Sequence, residues 1–311
     1  MCRAQSRHVP VVQCTALAMA AACGPATAPP PAAPAPSAVT WITPALTVSG
    51  VSYVRFDSPT ARATVSYHVY LPPQYTAEPT RRFPVLYWLH GSGGGLGGIA
   101  PLTAYFDGAI RAGRIPPMLV VFANGMASSM WADSKDGRVP METVVTRDLV
   151  TEVDARFRTI ATREGRLLEG FSMGGYGAAR LGMRYAERFA AFSALAGGPI
   201  DLDFNGPRAL GNPAERARIL RDVYGDDLEY YRLLSPLIVA ESFAAGAAPR
   251  PRIRIVVGML DETRPASVAL HQRLEALGVV HDFIEVPGVG HDTMALFGAL
   301  GERAWAFYGG S

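Results

Sequence analysis

One serine of this chain stands in a context that could make it a nucleophile. Residues 170–174 read Gly-Phe-Ser-Met-Gly, between a short apolar segment and a run of small residues with helical spacing. In a strand–turn–helix context, G-x-S-x-G is typical of a turn so tight that the positions two residues on either side of the serine cannot carry a Cβ. The Ser172 hydroxyl would lie at a helix N-terminus, where the dipole favours a developing negative charge. Ser172 is therefore predicted to attack an acyl carbon.

The general base that a serine needs should follow it along the chain, with the acid in between. Three histidines follow Ser172. His291 stands in the loop VPGVGHD after the last predicted strand, at the sheet edge that also carries Ser172, and is the predicted base. His271 falls within a predicted helix and His281 near the start of a strand, which favours surface or packing roles for both.

The acid should follow a strand that ends at the same sheet edge. Asp261 comes just past the apolar run 253–258, where it could orient the His291 imidazole and stabilise its cation. Asp261 is therefore the predicted acid. Four alternatives remain, the first two after the preceding predicted strand and the others beside the predicted acid or base: Asp201, Asp203, Glu262 and Asp292.

The glycine-rich segment LHGSGGGLGG, residues 89–98, allows two interpretations. It contains G-x-G-x-x-G, which in dinucleotide-binding proteins is followed about twenty residues later by an acid that holds the ribose. Asp107 is the only acid between residues 98 and 133 and comes too early for that role. The same backbone could instead direct an N–H group at the oxyanion of an acyl-transfer intermediate. The second interpretation is favoured.

An oxyanion hole needs two backbone N–H groups. One belongs to the residue after the nucleophile, here Met173, and the other to a loop after an early strand. The glycine-rich segment is predicted to supply the second through the amide of Ser92, with Gly93 as the alternative. His90, in the same loop, is predicted to be structural rather than a second base.

Alternating strands and helices must position these residues. The runs 84–89 and 118–123 are continuously apolar, as in strands buried on both faces of a parallel sheet. Residues 141–157 have the spacing of an amphipathic helix. Repeated strand–helix units predict an α/β fold with one mostly parallel, doubly wound sheet of about eight strands, because parallel strands need crossover helices.

Two segments are less regular. Residues 63–71 alternate apolar and polar side chains, which predicts a half-exposed strand near a sheet edge. The polar stretch 197–231 is predicted to be a long loop that could supply a small cap over the site. No separate large lid domain is expected.

The charge balance and the positions of the cysteines bear on nucleic-acid partners, disulfides and metal sites. The chain carries 29 basic and 27 acidic side chains, and without Arg3 and Arg7 in the N-terminal leader 27 of each remain. A net charge of zero gives no reason to expect a nucleic-acid partner. The cysteines, Cys2, Cys14 and Cys23, all lie in the leader, so the remainder has no disulfide and no cysteine metal site. No metal is predicted.

The leader has the pattern of an export signal. Basic residues precede the apolar stretch 9–22, which is too short to span a membrane. It ends in AAACG, which is similar to a bacterial lipobox and predicts membrane attachment through a lipidated Cys23. Ordinary signal cleavage near Ala22 or Ala28, giving a secreted protein, is the alternative.

The chain is thus predicted to have three parts. Residues 1–23 form the signal peptide with its lipobox. Residues 24–38, rich in proline and alanine, form an extended linker. Residues 39–311 form the catalytic domain, which is long enough for a sizeable core.

Five motifs together resemble the esterase-D-like branch of the α/β-hydrolases, which includes feruloyl and acetylxylan esterases, S-formylglutathione hydrolases and mycolyltransferase antigens. They are VYLPP at 69–73, RFPVLYWLHG at 82–91, GFSMGGYGA at 170–178, GMLD at 258–261 and PGVGHD at 287–292. The resemblance covers residues 66–307. It implies the α/β-hydrolase fold and hydrolysis of a carboxylic ester through an acyl-enzyme, without metal or cofactor.

The resemblance also bears on the substrate. In relatives an aromatic residue of the block at 129–134 lines the acyl or sugar cleft, which implies that Trp131 forms a substrate wall; a buried core position is the alternative. The implied function is an exported esterase acting on acyl esters of carbohydrates or phenolic acids. An acyltransferase of the mycolyltransferase type is the alternative, and the paired glycines after Ser-Met favour the hydrolase.

Overall fold

The computed structural model describes residue 1, residues 39–198 and residues 212–309. The chain divides into two units, Met1–Pro36 and Ser37–Ser311, and the predicted catalytic domain lies in the second. Several predictions fall outside the described residues, namely those for Cys23, the linker at 24–38, Asp201 and Asp203.

Eight strands form one mostly parallel sheet, which confirms the predicted fold class. They are β1 (Val51–Ser58), β2 (Ala63–Tyr70), β3 (Val85–Leu89), β4 (Leu119–Ala123), β5 (Arg166–Phe171), β6 (Ala191–Leu195), β7 (Arg252–Gly258) and β8 (Asp282–Val286). Their spatial order is β1-β2-β4-β3-β5-β6-β7-β8. Only the β1–β2 and β2–β4 pairs are antiparallel.

Helices connect most of the parallel strands. They are α1 (Gln74–Ala77), α2 (Leu96–Arg111), α3 (Met141–Thr143), α4 (Val150–Arg156), α5 (Met173–Arg184), α6 (Pro213–Tyr224), α7 (Leu228–Leu233), α8 (Pro236–Ala245), α9 (Arg264–Ala276), α10 (Thr293–Leu300) and α11 (Glu302–Trp305). A π-helix, Val144–Leu149, joins α3 to α4, so the helix predicted at 141–157 is present but not uniform. No helix among the described residues combines the length and apolar character that a bilayer crossing needs.

The central strands are buried on both faces. Val85 and Tyr87 of β3 enter one apolar cluster, with α4, α5 and α9. Leu86 and Trp88 enter a second cluster, with α2, α10 and α11. The continuous apolar runs seen in the sequence are thus explained by helices packed against both sides of the sheet.

The prediction for β2 was right in placing the strand near a sheet edge, next to β1, but wrong in expecting it to be half exposed. All but its first two residues are buried, and β1 rather than β2 forms the edge. Two buried polar side chains of β2, Ser66 and His68, are covered by the segment before β1. Thr43 N–H donates to Ser66 Oγ at 2.8 Å, and Leu46 N–H donates to His68 Nε2 at 3.3 Å. In β2 the alternating polarity therefore reflects polar side chains that accept hydrogen bonds from another segment of the chain.

The prediction of a loop over 197–231 was also wrong, because α6 and part of α7 lie within it. Asn212 caps α6, accepting the Glu215 N–H at 2.8 Å, and Pro213 occupies the first turn. Gly225, in the left-handed conformation, ends the helix. Asn212 with Pro213 is an ordinary signal for the start of a helix, and Gly225 is an ordinary signal for its end. The polar composition of the segment hid both signals.

Candidate active site

Ser172 occupies the sharp turn between β5 and α5. Its backbone has φ 57° and ψ −120°, a strained conformation for a residue with a side chain. Ser172 N–H donates to Leu195 O of β6 at 2.9 Å, which fixes the turn against the sheet. A Cβ at Gly170 would overlap the Gly174 carbonyl, and one at Gly174 would overlap the Leu89 carbonyl. Both glycines are required by close backbone approach.

The structure brings Ser172, His291 and Asp261 together in one relay. His291 Nε2 lies 2.9 Å from Ser172 Oγ. His291 Nδ1 lies 2.9 Å from Asp261 Oδ2 and 3.0 Å from Oδ1. Because the carboxylate only accepts, Nδ1 carries the proton and Nε2 is left free to accept the serine proton.

The loops after β7 and β8 hold the acid and the base in register. Met259 N–H donates to Val286 O and Leu260 N–H donates to Val289 O, both at 2.9 Å. Asp261 Oδ1 also accepts the Thr263 N–H at 2.7 Å, which orients the carboxylate. The Asp261 side chain is 1% exposed and that of His291 25% exposed, so the base reaches the cleft while the acid stays behind it.

Burial and pairing act in opposite directions on both titratable groups. Burial raises the pKa of Asp261, but the hydrogen bonds from His291 and Thr263 outweigh it and leave this pKa below its ordinary value. Burial lowers the pKa of His291, but the hydrogen bond to Asp261 and the charge of that carboxylate outweigh it and leave this pKa above its ordinary value. Asp261 therefore stabilises the imidazolium that forms when the serine gives up its proton.

Ser92 and Met173 both line the cleft that contains Ser172. Met173 is the first residue of α5, where backbone N–H groups have no partner within the helix. Gly93, the alternative to Ser92, donates its N–H to Ala127 O at 2.8 Å. The geometry thus favours Ser92 as the second oxyanion donor.

His90 is part of the loop framework. It is 7% exposed, its Nε2 accepts the Gly125 N–H at 3.0 Å, and its Nδ1 lies 2.7 Å from Gly91 O. Nδ1 therefore carries the single proton. Burial lowers the pKa of His90 more than the hydrogen bond to Gly91 raises it, which keeps the ring neutral.

The expectation that Trp131 lines the substrate cleft is wrong, and the alternative of a core position describes the residue. Trp131 is 0% exposed and does not line the cleft. Its Nε1–H donates to His90 O at 3.1 Å, and the ring packs against Gly125 and Gly177. The neighbouring Met130 lines the cleft instead.

The remaining candidates lie apart from the relay or at its rim. His271 lies on α9 and His281 lies just before β8, and their imidazole rings are hydrogen-bonded to each other, with 2.8 Å between the nitrogens. Asp292 caps α10 by accepting the Ala295 N–H at 2.7 Å. Glu262 lines the cleft, and its negative charge adds to that of Asp261 in raising the pKa of His291. The atoms of Asp261, Glu262 and His291 that could bind a metal ion lie within 4.8 Å of one another. Asp261 and His291, however, are hydrogen-bonded to each other at that place.

The cleft over Ser172 has a volume of about 200 Å³. One wall comes from α6, through Glu215, Arg216 and Ile219, so the stretch that was predicted to supply a small cap does contribute to the cleft. The sequence did not show that the contribution comes from a helix or from these residues. The helical signal at Asn212 could have revealed α6, but nothing local to α6 shows that it lies over the serine. Together these groups offer a nucleophile and a base to a small substrate carbonyl, in a cleft that the predicted oxyanion donors Ser92 and Met173 also line.

The chain is similar to known proteins in sequence and in fold. The Esterase family model matches residues 58–223. Esterase Rv1288 of Mycobacterium tuberculosis is 28% identical over 272 residues, covering 77% of this chain and 55% of that protein. The endo-1,4-beta-xylanase/feruloyl esterase of Xylanibacter ruminicola is 31% identical over 162 residues, covering 48% of this chain and 22% of that protein. The chain spans about half the length of the mycobacterial relative.

A solved ferulic acid esterase structure has the same fold. It covers 83% of this chain and 96% of its own, with a TM-score of 0.67 and 22% sequence identity. At that identity the likeness concerns the fold.

Proposed function

Because the chain belongs to the Esterase family, we propose that it is a serine carboxylic-ester hydrolase that works through an acyl-enzyme. The observation that carries the proposal is the continuous relay from Asp261 through His291 to Ser172, with 2.9 Å between His291 Nε2 and Ser172 Oγ. This arrangement converts an unreactive hydroxyl into a nucleophile.

The geometry supports a two-step reaction. Ser172 Oγ attacks the ester carbonyl while His291 Nε2 takes its proton, and the Ser92 and Met173 N–H groups stabilise the oxyanion. The imidazolium then protonates the departing alcohol, leaving the acyl group on Ser172. In the second step His291 takes a proton from water while the water oxygen attacks the acyl-enzyme. The bond from the acyl carbon to Ser172 Oγ then breaks, the imidazolium returns its proton to Ser172 Oγ, and the carboxylic acid leaves.

The proposed substrates are acyl esters of carbohydrates or of phenolic acids. This proposal is supported by the sequence likeness to the xylanase/feruloyl esterase and by the fold shared with a ferulic acid esterase. It is also supported by the cleft of about 200 Å³, which suits a small acyl group better than a long chain.

A substrate panel tests the proposal. Nitrophenyl esters of increasing acyl length, methyl ferulate and acetylated xylan are incubated with the purified protein, and acid release is measured with and without a sugar acceptor. We expect hydrolysis of at least one class, with free acid as the main product in both conditions. Transfer of the acyl group to the sugar would instead establish an acyltransferase, and no turnover of any ester would refute the proposal.

We further propose that the enzyme is exported and anchored through a lipidated Cys23. The apolar stretch 9–22 and the AAACG sequence support this proposal. A lipoprotein anchor with several acyl chains binds stably, whereas one chain binds only marginally. A Pro/Ala linker of residues 24–38, at about 3 Å per residue, would hold the enzyme some tens of ångströms from the membrane.

Cys23→Ser is expected to move the activity from the membrane fraction to the soluble exported fraction without changing kcat, because the catalytic residues lie elsewhere. Fractionation followed by an esterase assay measures this. Cys14→Ser, which alters another leader cysteine, is the control and should stay in the membrane fraction. A soluble wild-type enzyme whose N-terminus follows Ala22 or Ala28 would rule out the anchor.

A further inference from the structure

Trp131 lies between the two elements that carry the proposed oxyanion donors. Ser92 belongs to the loop after β3, and Met173 is the first residue of α5. Trp131 comes from a third element, the loop after β4, and its side chain is wholly buried. It contacts both of the others and does not line the cleft.

On one side Trp131 is bonded to the loop that contains Ser92. Its Nε1–H donates to His90 O at 3.1 Å, two residues before Ser92. The His90 ring packs edge-on against the indole, with 5.0 Å between the ring centroids and 64° between their planes. His90 Nε2 also accepts the Gly125 N–H at 3.0 Å, so the loop after β4 holds His90 at two points.

On the other side Trp131 packs directly against α5. A Cβ at Gly177 would lie 2.7 Å from Cγ of Trp131, so the helix approaches the indole as closely as a glycine allows. Trp131 O accepts a hydrogen bond from the Arg180 guanidinium, nearly one turn further along α5. Arg180 is buried and paired with the buried Glu142 of α3.

The backbone at Trp131 is held in a conformation that large residues rarely adopt. Met130 has φ 54° and Trp131 has φ 53°, both in the left-handed region. Trp131 N–H donates to Ser129 Oγ at 3.1 Å, and that hydroxyl donates to Gly125 O at 2.6 Å. Conformations of this kind persist only where the surrounding contacts determine them, and they concentrate at functional sites.

We propose that Trp131 is a positioning residue of the oxyanion hole, which sets the separation of the Ser92 and Met173 N–H groups by bonding to one loop and packing on the other element. The inference rests on the proposed esterase function. Both donors must point at one oxygen as it becomes charged, and these interactions strengthen in the transition state. A misplacement of about 1 Å can cost on the order of 10²-fold in rate.

Two tryptophan-to-phenylalanine variants of the full chain test the inference. Trp131→Phe removes the Nε1–H that bonds to His90 O. Trp305→Phe is the matched control, because the Trp305 Nε1 is buried without a hydrogen-bond partner among the described residues and its ring stacks on Tyr105 at 4.8 Å, away from the relay. The readouts are kcat and KM for a nitrophenyl ester that the wild type hydrolyses, and the inhibition constant of an alkylboronic acid, whose tetrahedral adduct places an oxygen in the oxyanion hole.

We expect Trp131→Phe to lower kcat by about tenfold or more and to leave KM within about twofold of the wild-type value. The inhibition constant of the boronic acid should rise by the same factor by which kcat falls. Trp305→Phe should leave all three values within about twofold. A Trp131→Phe enzyme that behaves like the control would overturn the inference and leave the esterase proposal standing. A wild type that hydrolyses no ester would refute the esterase proposal itself.

A second variant covers the case in which Trp131→Phe does not fold. Replacing the Trp131 indole with the isosteric benzothiophene, by codon suppression, removes the donor and keeps the volume. The same loss of kcat and of boronic acid affinity is expected. Unchanged values would show that the bond to His90 O has no role in positioning.

Discussion

Ser172→Ala is expected to lower kcat/KM for every ester by about 10⁴-fold or more, the scale on which a relay nucleophile contributes. The fold should be retained, because Ser172 is fixed by its backbone bond to Leu195 O rather than by its hydroxyl. Circular dichroism and the thermal unfolding midpoint check the fold, and a nitrophenyl ester assay checks the rate. Alanine accepts the same φ of 57° no less readily than serine, so the turn itself should survive.

The matched control is Ser52→Ala, which makes the same change at an exposed position of the edge strand β1. It should leave kcat/KM at the wild-type value. Activity near the wild-type level in purified Ser172→Ala would mean that another group attacks the substrate, and the proposed chemistry would fall with it.

The second large effect is expected at the acid: Asp261→Asn should lower kcat by about 10⁴-fold. An amide at this position can donate to Nδ1, which favours the tautomer with its proton on Nε2 and removes the acceptor for the serine proton. Asp292→Asn is the matched control, one residue from the base, because asparagine caps a helix as well as aspartate. Asp201→Asn and Asp203→Asn should also cost far less than Asp261→Asn, and the reverse ranking would place the acid after β6.

The residual activity of Asp261→Asn should also respond differently to pH. His291 must be neutral to act as a base, so kcat/KM falls as the pH drops through its pKa. The Asp261 carboxylate raises that pKa, so its removal should move the acid limb of the profile to lower pH. A merely structural role for Asp261 would reduce activity without moving the limb.

The meeting of Ser172, Asp261 and His291 could be predicted because each follows a strand that ends at the same edge of a parallel sheet. The motif at 170–174 required two close backbone approaches, and both are present at Gly170 and Gly174. Strand order along the chain therefore carried enough information to place the three side chains near one another.

Other features depended on partners distant in sequence. The choice between Ser92 and Gly93 depends on Ala127 O, which accepts the Gly93 N–H, and no local pattern reveals that bond. Trp131 was predicted to line the cleft because it is an aromatic residue in a loop beside the site. Its ring lies in the core instead, in space that side chains at Gly125 and Gly177 would have filled. Likewise, the polar residues of β2 are buried because a preceding segment bonds them.

The acid and the base come from one β-α-β unit, β7 to β8, whose two loops are bonded to each other and whose reactive side chains lie 30 residues apart. The nucleophile comes from another unit, and the chain between the two contains the helix that walls the cleft. Changes confined to α6 would alter the wall of the cleft without touching β6, whose Leu195 O holds the turn at Ser172. Different segments of the chain therefore line the cleft and carry out proton transfer, so the wall that faces the substrate can vary while Ser172, Asp261 and His291 stay the same.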